Sequence, residues 1–330
     1  MAGRAGIDCH GGSEFGDTSA HDPREKRMTF ITRSGRQLIV NGDDFGLSSQ
    51  VNAGILHAHR YGILTNTSLM ITAPAWEEAV TLARDTPTLS VGLHLTLVQG
   101  RAALAPHLLS AVTDPFGNFS HNPTRAGLRY FFSRRARAQV RAECRAQIEK
   151  FLATGLTLAQ VDGHLHIHMH PAVLDALIDL AREYRIKAIR LTREDLATSL
   201  ALDARHSLHK RWESVIFTAL SRAAEKKLHA NSITFPDALF GLHQSGKINE
   251  GYLLSLLPRL REGVTEVYCH PALLPCREVQ YWTPTYRRDA ELAALTSPAV
   301  RAEITDQGVA LISYRALFPD GASPYDAQRP

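Results

Sequence analysis

The chain has 330 residues, with 37 lysines and arginines, 33 aspartates and glutamates, and 16 histidines. A hydrophobic content of 44% with 21% charged residues excludes wholesale disorder and is ordinary for a folded globular protein. The formal net charge of +4 is too small to indicate a nucleic-acid partner.

The sequence contains no apolar run long enough to predict a membrane span, and its polar N-terminus has no signal-peptide core. The four cysteines, Cys9, Cys144, Cys269 and Cys276, lack C-x-x-C spacing, which fits reduced thiols. We therefore expect a cytoplasmic protein. Residues 1–36 have no sustained apolar period and predict a disordered extension, and the polar, proline-rich residues 319–330 predict a tail.

Between these ends, over residues 37–318, short aliphatic runs alternate with helical patterns. The predicted strands are Gln37–Val40, Ser68–Thr72, Leu89–Leu95, Leu158–Val161, Ala188–Leu191, Ser232–Phe235, Thr265–Tyr268 and Val309–Ser313. The clearest helices begin after Ser133, a predicted N-cap, and at Pro171. About eight strand and helix units predict an α/β fold with parallel strands, in which a single TIM-like barrel is favoured over two domains and over an open doubly wound sheet.

Two adjacent carboxylates, Asp43 and Asp44, follow the first predicted strand in the segment N-G-D-D-F-G. Buried carboxylates need a partner such as a metal ion or a substrate group, because an uncompensated charge would lose its hydration. The alternative interpretation is that one of them caps the following helix and the glycines form the turn.

Histidines also follow strands. His94 ends the third strand and His270 follows the seventh, and either one alone is ordinarily a core residue. The segment V-D-G-H-L-H-I-H-M-H-P, from Val161 to Pro171, places histidines at every second position from His164 to His170. If it is extended, these four imidazoles share one face, because side chains alternate along a strand.

In a parallel barrel, all strands deliver their C-terminal ends to one rim, where the active sites of such barrels lie. Asp43, Asp44, His94, His164 and His270 belong to four strands and are predicted to converge there. Carboxylate and imidazole ligands suit a divalent metal ion with open water positions, namely Zn²⁺, Mn²⁺, Co²⁺ or Mg²⁺, of which Mg²⁺ and Zn²⁺ are the leading candidates. Such an ion makes hydroxide available from water near neutral pH, which favours a catalytic role.

The combination of N-G-D-D-F-G, G-L-H-L, D-G-H-L-H-I-H and C-H-P, in this order from Asn41 to Pro271, resembles the YdjC-like carbohydrate deacetylases, a family that includes chitooligosaccharide deacetylase. The resemblance implies a distorted β/α barrel that removes N-acetyl groups from amino sugars with one divalent metal and a metal-activated water. It implies that Asp44, His94 and His164 hold the metal. It further implies that Asp43 is the general base and that His270 protonates the leaving amine.

Chitooligosaccharide deacetylases of this family tend to have D-S-H-H-H-V-H, where this chain has Gly163 and Leu165 in place of a serine and a histidine. The proposed ligands are unchanged, but the sugar contacts differ. Asp162 is a candidate to orient an imidazole, with turn formation as the alternative. Further candidates for contact with substrate or with the metal ligands are His166, His168 and Arg190, and the alternative for the two histidines is a purely structural role.

Details such as Y-F-F-S-R-R at Tyr130–Arg135 resemble the hopanoid-biosynthesis-associated branch of the family. That branch implies an N-acetylglucosaminyl head group on a hopanoid lipid as the substrate. Tyr130, Phe131 and Phe132 beside arginines would then contact the inner face of the membrane peripherally, with burial of the aromatics in the core as the alternative. A homo-oligomer is compatible with the sequence.

Other functions stay open. A chitooligosaccharide deacetylase would act on soluble sugars, and a metal-dependent phosphoesterase would ordinarily bring more carboxylates for a second metal. A sugar isomerase or epimerase fits a barrel but needs an acid and a base at a carbon. A histidine-rich metal-storage or sensor protein would explain the histidine run but not the aspartate pair.

Overall fold

The computed structural model describes residues 35–276 and 283–318. The predicted extension, apart from its last two residues, and the predicted tail over 319–330 lie outside the described residues. Cys144, Cys269 and Cys276 are free thiols.

Seven strands are present in the described ranges, and all of their pairings are parallel. They are β1 (Arg36–Phe45), β2 (Asn66–Leu69), β3 (Ser90–Leu95), β4 (Val161–Gly163), β5 (Ala238–Phe240), β6 (Gly263–Cys269) and β7 (Val309–Ile312). The sheet order is β4-β3-β2-β1-β6-β5, and β7 pairs with the start of β1 while β2 pairs with its end. Central β1 therefore organises the sheet.

The helices flank this sheet. They are α1 (Ser49–Tyr61), α2 (Trp76–Arg84), α3 (Pro123–Phe132), α4 (Arg134–Ala153), α5 (Pro171–Tyr184), α6 (Leu196–Leu202), α7 (Ser207–Ala230), α8 (Glu250–Leu256), α9 (Arg288–Leu295) and α10 (Pro298–Asp306). Ser133 caps α4 by accepting a hydrogen bond from the Ala136 amide, and Pro171 opens α5, as predicted. Within the described residues, none of these helices has the length and apolar character needed to cross a membrane.

The predicted β/α barrel is confirmed, with two differences in its strands. Predicted strands 188–191 and 232–235 form only single parallel bridges, Val161 to Ile189 and Ala188 to Thr234, which continue the curled sheet beyond β4. Both segments are largely buried, which explains their apolar sequence. An apolar run predicts burial, but it does not show how many hydrogen bonds the segment forms with a neighbouring strand. Strand β5 lies just beyond the second of them and was not predicted.

The aromatic segment of α3 divides between the core and the surface. Tyr130 is 1% exposed, and its hydroxyl donates a 2.6 Å hydrogen bond to the carbonyl oxygen of Leu97. The predicted membrane contact through Tyr130 is therefore wrong, because the ring is packed inside the protein. Phe131 and Phe132 are 51% and 75% exposed.

Candidate metal centre and active site

The predicted site residues line one cavity at the carboxyl rim of the barrel. Asp43 and Asp44 come from β1, His94 from β3, His164 follows β4 and His270 follows β6. All five line a cavity of about 270 Å³. The structure thus brings them together as the strand-end argument predicts, while their chemical roles stay predictions.

An irregularity in β1 brings both aspartates to this cavity. In a regular strand, neighbouring side chains point to opposite faces. Here the pairing of β1 with β2 shifts register between Gly42 and Phe45, and Asp44 has a φ of 67°. This left-handed conformation is uncommon for a non-glycine residue and tends to occur at functional sites.

Three donor groups at the rim could hold a metal ion. Oδ1 of Asp44 lies 3.2 Å from Nδ1 of His164 and 3.7 Å from Nε2 of His94. One ligand atom from each residue lies within 4.8 Å of the other two, and all three side chains are buried. Two imidazoles and a carboxylate are a common ligand set for a catalytic divalent metal with open positions. The donors therefore fit the predicted cofactor.

Asp162 fixes one of these imidazoles. Nδ1 of His94 lies 2.7 Å from Oδ1 of Asp162, which leaves Nε2 facing Asp44. A carboxylate behind a metal-binding histidine commonly sets its tautomer and ring orientation. Burial opposes protonation of His94, but Asp162, Asp43 and Asp44 outweigh it and raise the pKa of His94 above its ordinary value.

Asp43, His94 and Asp162 form a second group of side chains whose ligand atoms lie close enough together to hold a metal ion. Its carboxylates are already compensated by Arg190. The Arg190 guanidinium donates two 2.8 Å hydrogen bonds to Asp43, and its Nη2 lies 2.8 Å from Oδ2 of Asp162. A cation at this position makes the group a poor site for a metal, so Asp44, His94 and His164 are the better candidates.

Arg190 also determines the charge of Asp43. Burial alone would raise the pKa of Asp43, but the charge and hydrogen bonds of Arg190 outweigh burial and hold this pKa well below its ordinary value. Arg190 is itself fully buried and also binds Glu266, with 2.9 Å between Nε and Oε1. It therefore positions Asp43 from behind rather than contacting a substrate in the cavity.

A second arginine, Arg288 of α9, compensates Asp44. Its Nη2 donates a 2.9 Å hydrogen bond to Oδ2 of Asp44, which leaves Oδ1 facing the two histidines. Burial opposes ionisation of Asp44, but hydrogen bonding by His164 and the charge of Arg288 outweigh it and lower the pKa of Asp44 well below the usual range. Asp44 is therefore ionised at neutral pH, as a metal ligand would need to be.

The histidine run does not form the predicted extended face. Residues His164–Met169 form 3-10 turns, and Leu165 and His166 have φ values of 52° and 55°. These turns replace an extended strand, so the four imidazoles reach different environments. The period-two interpretation is wrong because strand pairing ends at Gly163.

Within this run, His166 lines the cavity, with Nε2 2.9 Å from the Tyr268 hydroxyl. His168 is fully buried, with Nε2 3.1 Å from the carbonyl oxygen of Arg190, and burial lowers its pKa to about 4. A neutral His168 thus supports the Arg190 backbone and has no access to a sugar. His170 packs under the α3 aromatics, 6.1 Å from the Tyr130 ring.

His270, the predicted acid, lies on the cavity wall. Its backbone amide donates to Glu291, and its Nδ1 lies 3.8 Å from the same carboxylate. Its ring packs 4.8 Å from that of Tyr286, which also lines the cavity. His270 is 6% exposed, so its imidazole can act on a group bound in the cavity while remaining largely shielded from water.

Sequence analysis missed several residues that support the site. Arg288 carries no motif, and it reaches Asp44 only through the fold. Glu266 had a usable signal, because a carboxylate in the middle of the apolar strand V-T-E-V-Y needs a buried cation. Tyr268 directly precedes the C-H-P segment and faces His166.

A parallel β/α barrel with an Asp-His-His group and a second carboxylate at its carboxyl rim is typical of metal-assisted hydrolases. A family model described as YdjC-like protein matches residues 37–306, and the chain belongs to this family. A carbohydrate deacetylase of Geobacillus stearothermophilus is 34% identical over 285 residues, which cover 86% of this chain and 98% of the relative. A carbohydrate deacetylase of Brevibacillus brevis is 30% identical over 281 residues, which cover 85% and 99%.

The solved structures include a similar fold. The crystal structure of a proposed cellobiose-phosphate cleavage protein from Enterococcus faecalis V583 matches with a TM-score of 0.68 and 28% identity. The match covers 86% of this chain and 99% of the other.

Proposed function

We propose that this protein is a metal-dependent carbohydrate deacetylase that hydrolyses the N-acetyl group of an amino sugar. The observation that carries the proposal is the pairing of the Asp44, His94 and His164 donors with Asp43, a carboxylate kept ionised by Arg190 in the same cavity. Full-length similarity to proteins named carbohydrate deacetylases supports it.

Asp44, His94 and His164 would hold one divalent cation, with Mg²⁺ and Zn²⁺ as the candidates. When bound, such an ion polarises a carbonyl oxygen and lowers the pKa of water. Asp43 takes a proton from the water that adds to the acetamide carbon. His270 gives a proton to the sugar nitrogen as the carbon–nitrogen bond breaks. The products are acetate and a free amine.

Arg190 and Asp162 act by positioning. Arg190 holds Asp43 as a carboxylate, because its charge outweighs the cost of burial. Asp162 holds the His94 ring with Nε2 towards Asp44. The positive charge of Arg190 between Asp43 and Asp162 also argues against a second metal, which the phosphoesterase alternative ordinarily needs.

For the substrate, we propose an N-acetylglucosaminyl head group carried by a hopanoid lipid, in a reaction at the inner face of the membrane. Leu165 occupies the position of a histidine in the chitooligosaccharide deacetylases and lines the cavity with Phe217 and Leu242. These apolar walls suit a sugar linked to an apolar aglycone. Of the three aromatics of α3 that the sequence offers for membrane contact, Phe131 and Phe132 are exposed.

A substrate comparison tests both levels of this proposal. The metal-loaded full chain is incubated separately with chitobiose, longer chitooligosaccharides and an N-acetylglucosaminyl hopanoid, and loss of acetyl is followed by mass spectrometry. Preferential deacetylation of the hopanoid supports the lipid substrate. Preferential turnover of soluble sugars supports deacetylation and excludes the lipid preference. Turnover of none of them contradicts the deacetylase proposal.

A further inference from the structure

Helix α7 carries an apolar stripe that faces solvent. Leu208, Trp212, Val215 and Ile216 are 75%, 72%, 63% and 55% exposed. Their spacing places them on one face of the helix over more than two turns. Single exposed apolar residues are common, but a contiguous exposed apolar surface ordinarily marks an interaction site.

The stripe lies on the side of α7 opposite its packing face. The buried residues of the helix are Lys210, Ser221, Ala224 and Leu228, which fall on the other half of the helical wheel. Phe217, on that same inner half, lines the active-site cavity. One face of α7 thus forms a wall of the cavity, and the opposite face presents large apolar side chains outward.

The exposed charged residues on the outer half of α7 itself are positive. Arg211, Arg222 and Lys226 are exposed along the outer half of α7. The two acidic residues of the helix are engaged elsewhere: Glu213 lies 2.8 Å from Nδ1 of His243, and Glu225 accepts a 2.9 Å hydrogen bond from Arg193. The outer surface of α7 therefore combines a tryptophan-containing apolar stripe with a cationic border.

We propose that this face of α7 docks on an anionic lipid bilayer, with Leu208, Trp212, Val215 and Ile216 entering the interface. Amphipathic helices that lie on membranes have this composition, with large apolar side chains on one face and basic residues at its borders. Charge complementarity favours a bilayer over a second copy of the chain, because two such faces would bring their cationic borders together. The docking goes beyond the proposed reaction and does not depend on which sugar is hydrolysed.

Vesicle sedimentation of the full chain tests the docking directly. Vesicles of phosphatidylcholine alone are compared with vesicles that also contain phosphatidylglycerol, at low and at high salt. We expect binding only to the anionic vesicles, weakened by salt. The variant Trp212→Ser/Ile216→Ser should bind at least about tenfold more weakly, because it removes most of the inserted apolar surface.

Matched variants distinguish vesicle binding by this surface from non-specific binding by other exposed apolar residues. Tyr61→Ser is the control for the loss of an exposed aromatic. Tyr61, which is 65% exposed, is the last residue of α1 and does not belong to the stripe, so this variant should bind like the wild type. Arg211→Glu/Arg222→Glu should lose the anionic preference. Thermal unfolding followed by circular dichroism checks that all variants are folded.

Three results would overturn the proposal. The first is a wild type that does not sediment with anionic vesicles, and the second is a stripe variant that binds as well as the wild type. The third is a dimer, detected by light scattering, that the stripe variant dissociates, which would assign the face to a second copy. Because the readouts are lipid binding and mass, they are independent of whether the protein releases acetate.

Discussion

The guanidinium of Arg190 forms two parallel hydrogen bonds with the carboxylate of Asp43, from Nη1 to Oδ2 and from Nη2 to Oδ1, both 2.8 Å long. The same guanidinium lies 2.8 Å from Asp162 and 2.7 Å from Glu266. One buried cation thus contacts three buried carboxyl groups, of which Asp43 is the candidate base and Asp162 orients a candidate metal ligand. Arg190 therefore contributes both to the stability of the barrel and to the proposed chemistry.

Replacing Arg190 should therefore destabilise the protein strongly. Arg190→Met leaves its carboxylate partners buried without a counterion, which should cost about 3–5 kcal/mol in the free energy of unfolding measured with urea. The control is Arg141→Met, because Arg141 pairs with Asp179 at the surface and both side chains are nearly half exposed. Its loss should cost at most about 1 kcal/mol. Equal costs for the two variants would contradict the role of Arg190.

Asp162→Asn should weaken metal binding. The amide oxygen can still accept from Nδ1 of His94, but it carries no charge to support the imidazole. Changes of this kind behind a ligand histidine typically cost about 10–100-fold in metal affinity. Calorimetric titration of the metal-free protein with Zn²⁺ measures the change, and Asp179→Asn at the surface is the control. Unchanged affinity in Asp162→Asn would place the metal elsewhere.

Glu266 should give stability a pH dependence. Burial raises the pKa of Glu266 from 4.5 to about 7, despite the opposing hydrogen bonds and charge of Arg190 and Tyr314. The folded state then holds this proton more tightly than the unfolded state. Its stabilising contribution is complete below pH 4.5 and is lost as the pH rises through about 7.

Urea unfolding of the wild type and of Glu266→Gln at several pH values checks this. The advantage of the wild type over the variant should fall by an amount on the order of 3 kcal/mol from pH 4.5 to above 7. Glu77→Gln, at an exposed position of α2, is the control for removing a carboxylate from the surface. A constant difference for Glu266→Gln would mean that Glu266 is ionised throughout.

The α3 aromatics should differ sharply in their effect on stability. Tyr130→Phe removes the buried hydrogen bond to the Leu97 carbonyl and should cost about 1–3 kcal/mol, because the acceptor stays buried. Phe131→Ala and Phe132→Ala should stay within about 0.5 kcal/mol of the wild type, since both rings are largely exposed. A large loss in either phenylalanine variant would show that its ring is packed in solution.

The convergence of Asp44, His94 and His164 on one rim could be predicted from the sequence, because it depends only on where the strands end. Asp44, His94 and His164 come after predicted strands, and parallel strands share a rim. The environment of the histidine run could not be predicted, because its course depends on positive φ values at Leu165 and His166, which are uncommon for residues other than glycine.

Residues that contact the site from distant parts of the chain could not be predicted from the sequence either. Arg288 reaches Asp44 across 244 positions, and no local pattern marks it. The stripe on α7 was hidden for another reason. A helical apolar pattern normally indicates the core-facing side, and only the structure shows that Trp212 faces outward.

Release of acetate by the metal-loaded protein from an N-acetylglucosaminyl substrate, quantified together with the free amine, tests the central claim most directly. The wild type should release one acetate for each amine. Asp43→Asn should bind metal as the wild type does, because Asp43 is not a proposed ligand, and should release almost no acetate. Wild-type rates in Asp43→Asn would contradict the account, and so would a wild type that binds metal but frees phosphate from phosphorylated sugars and no acetate.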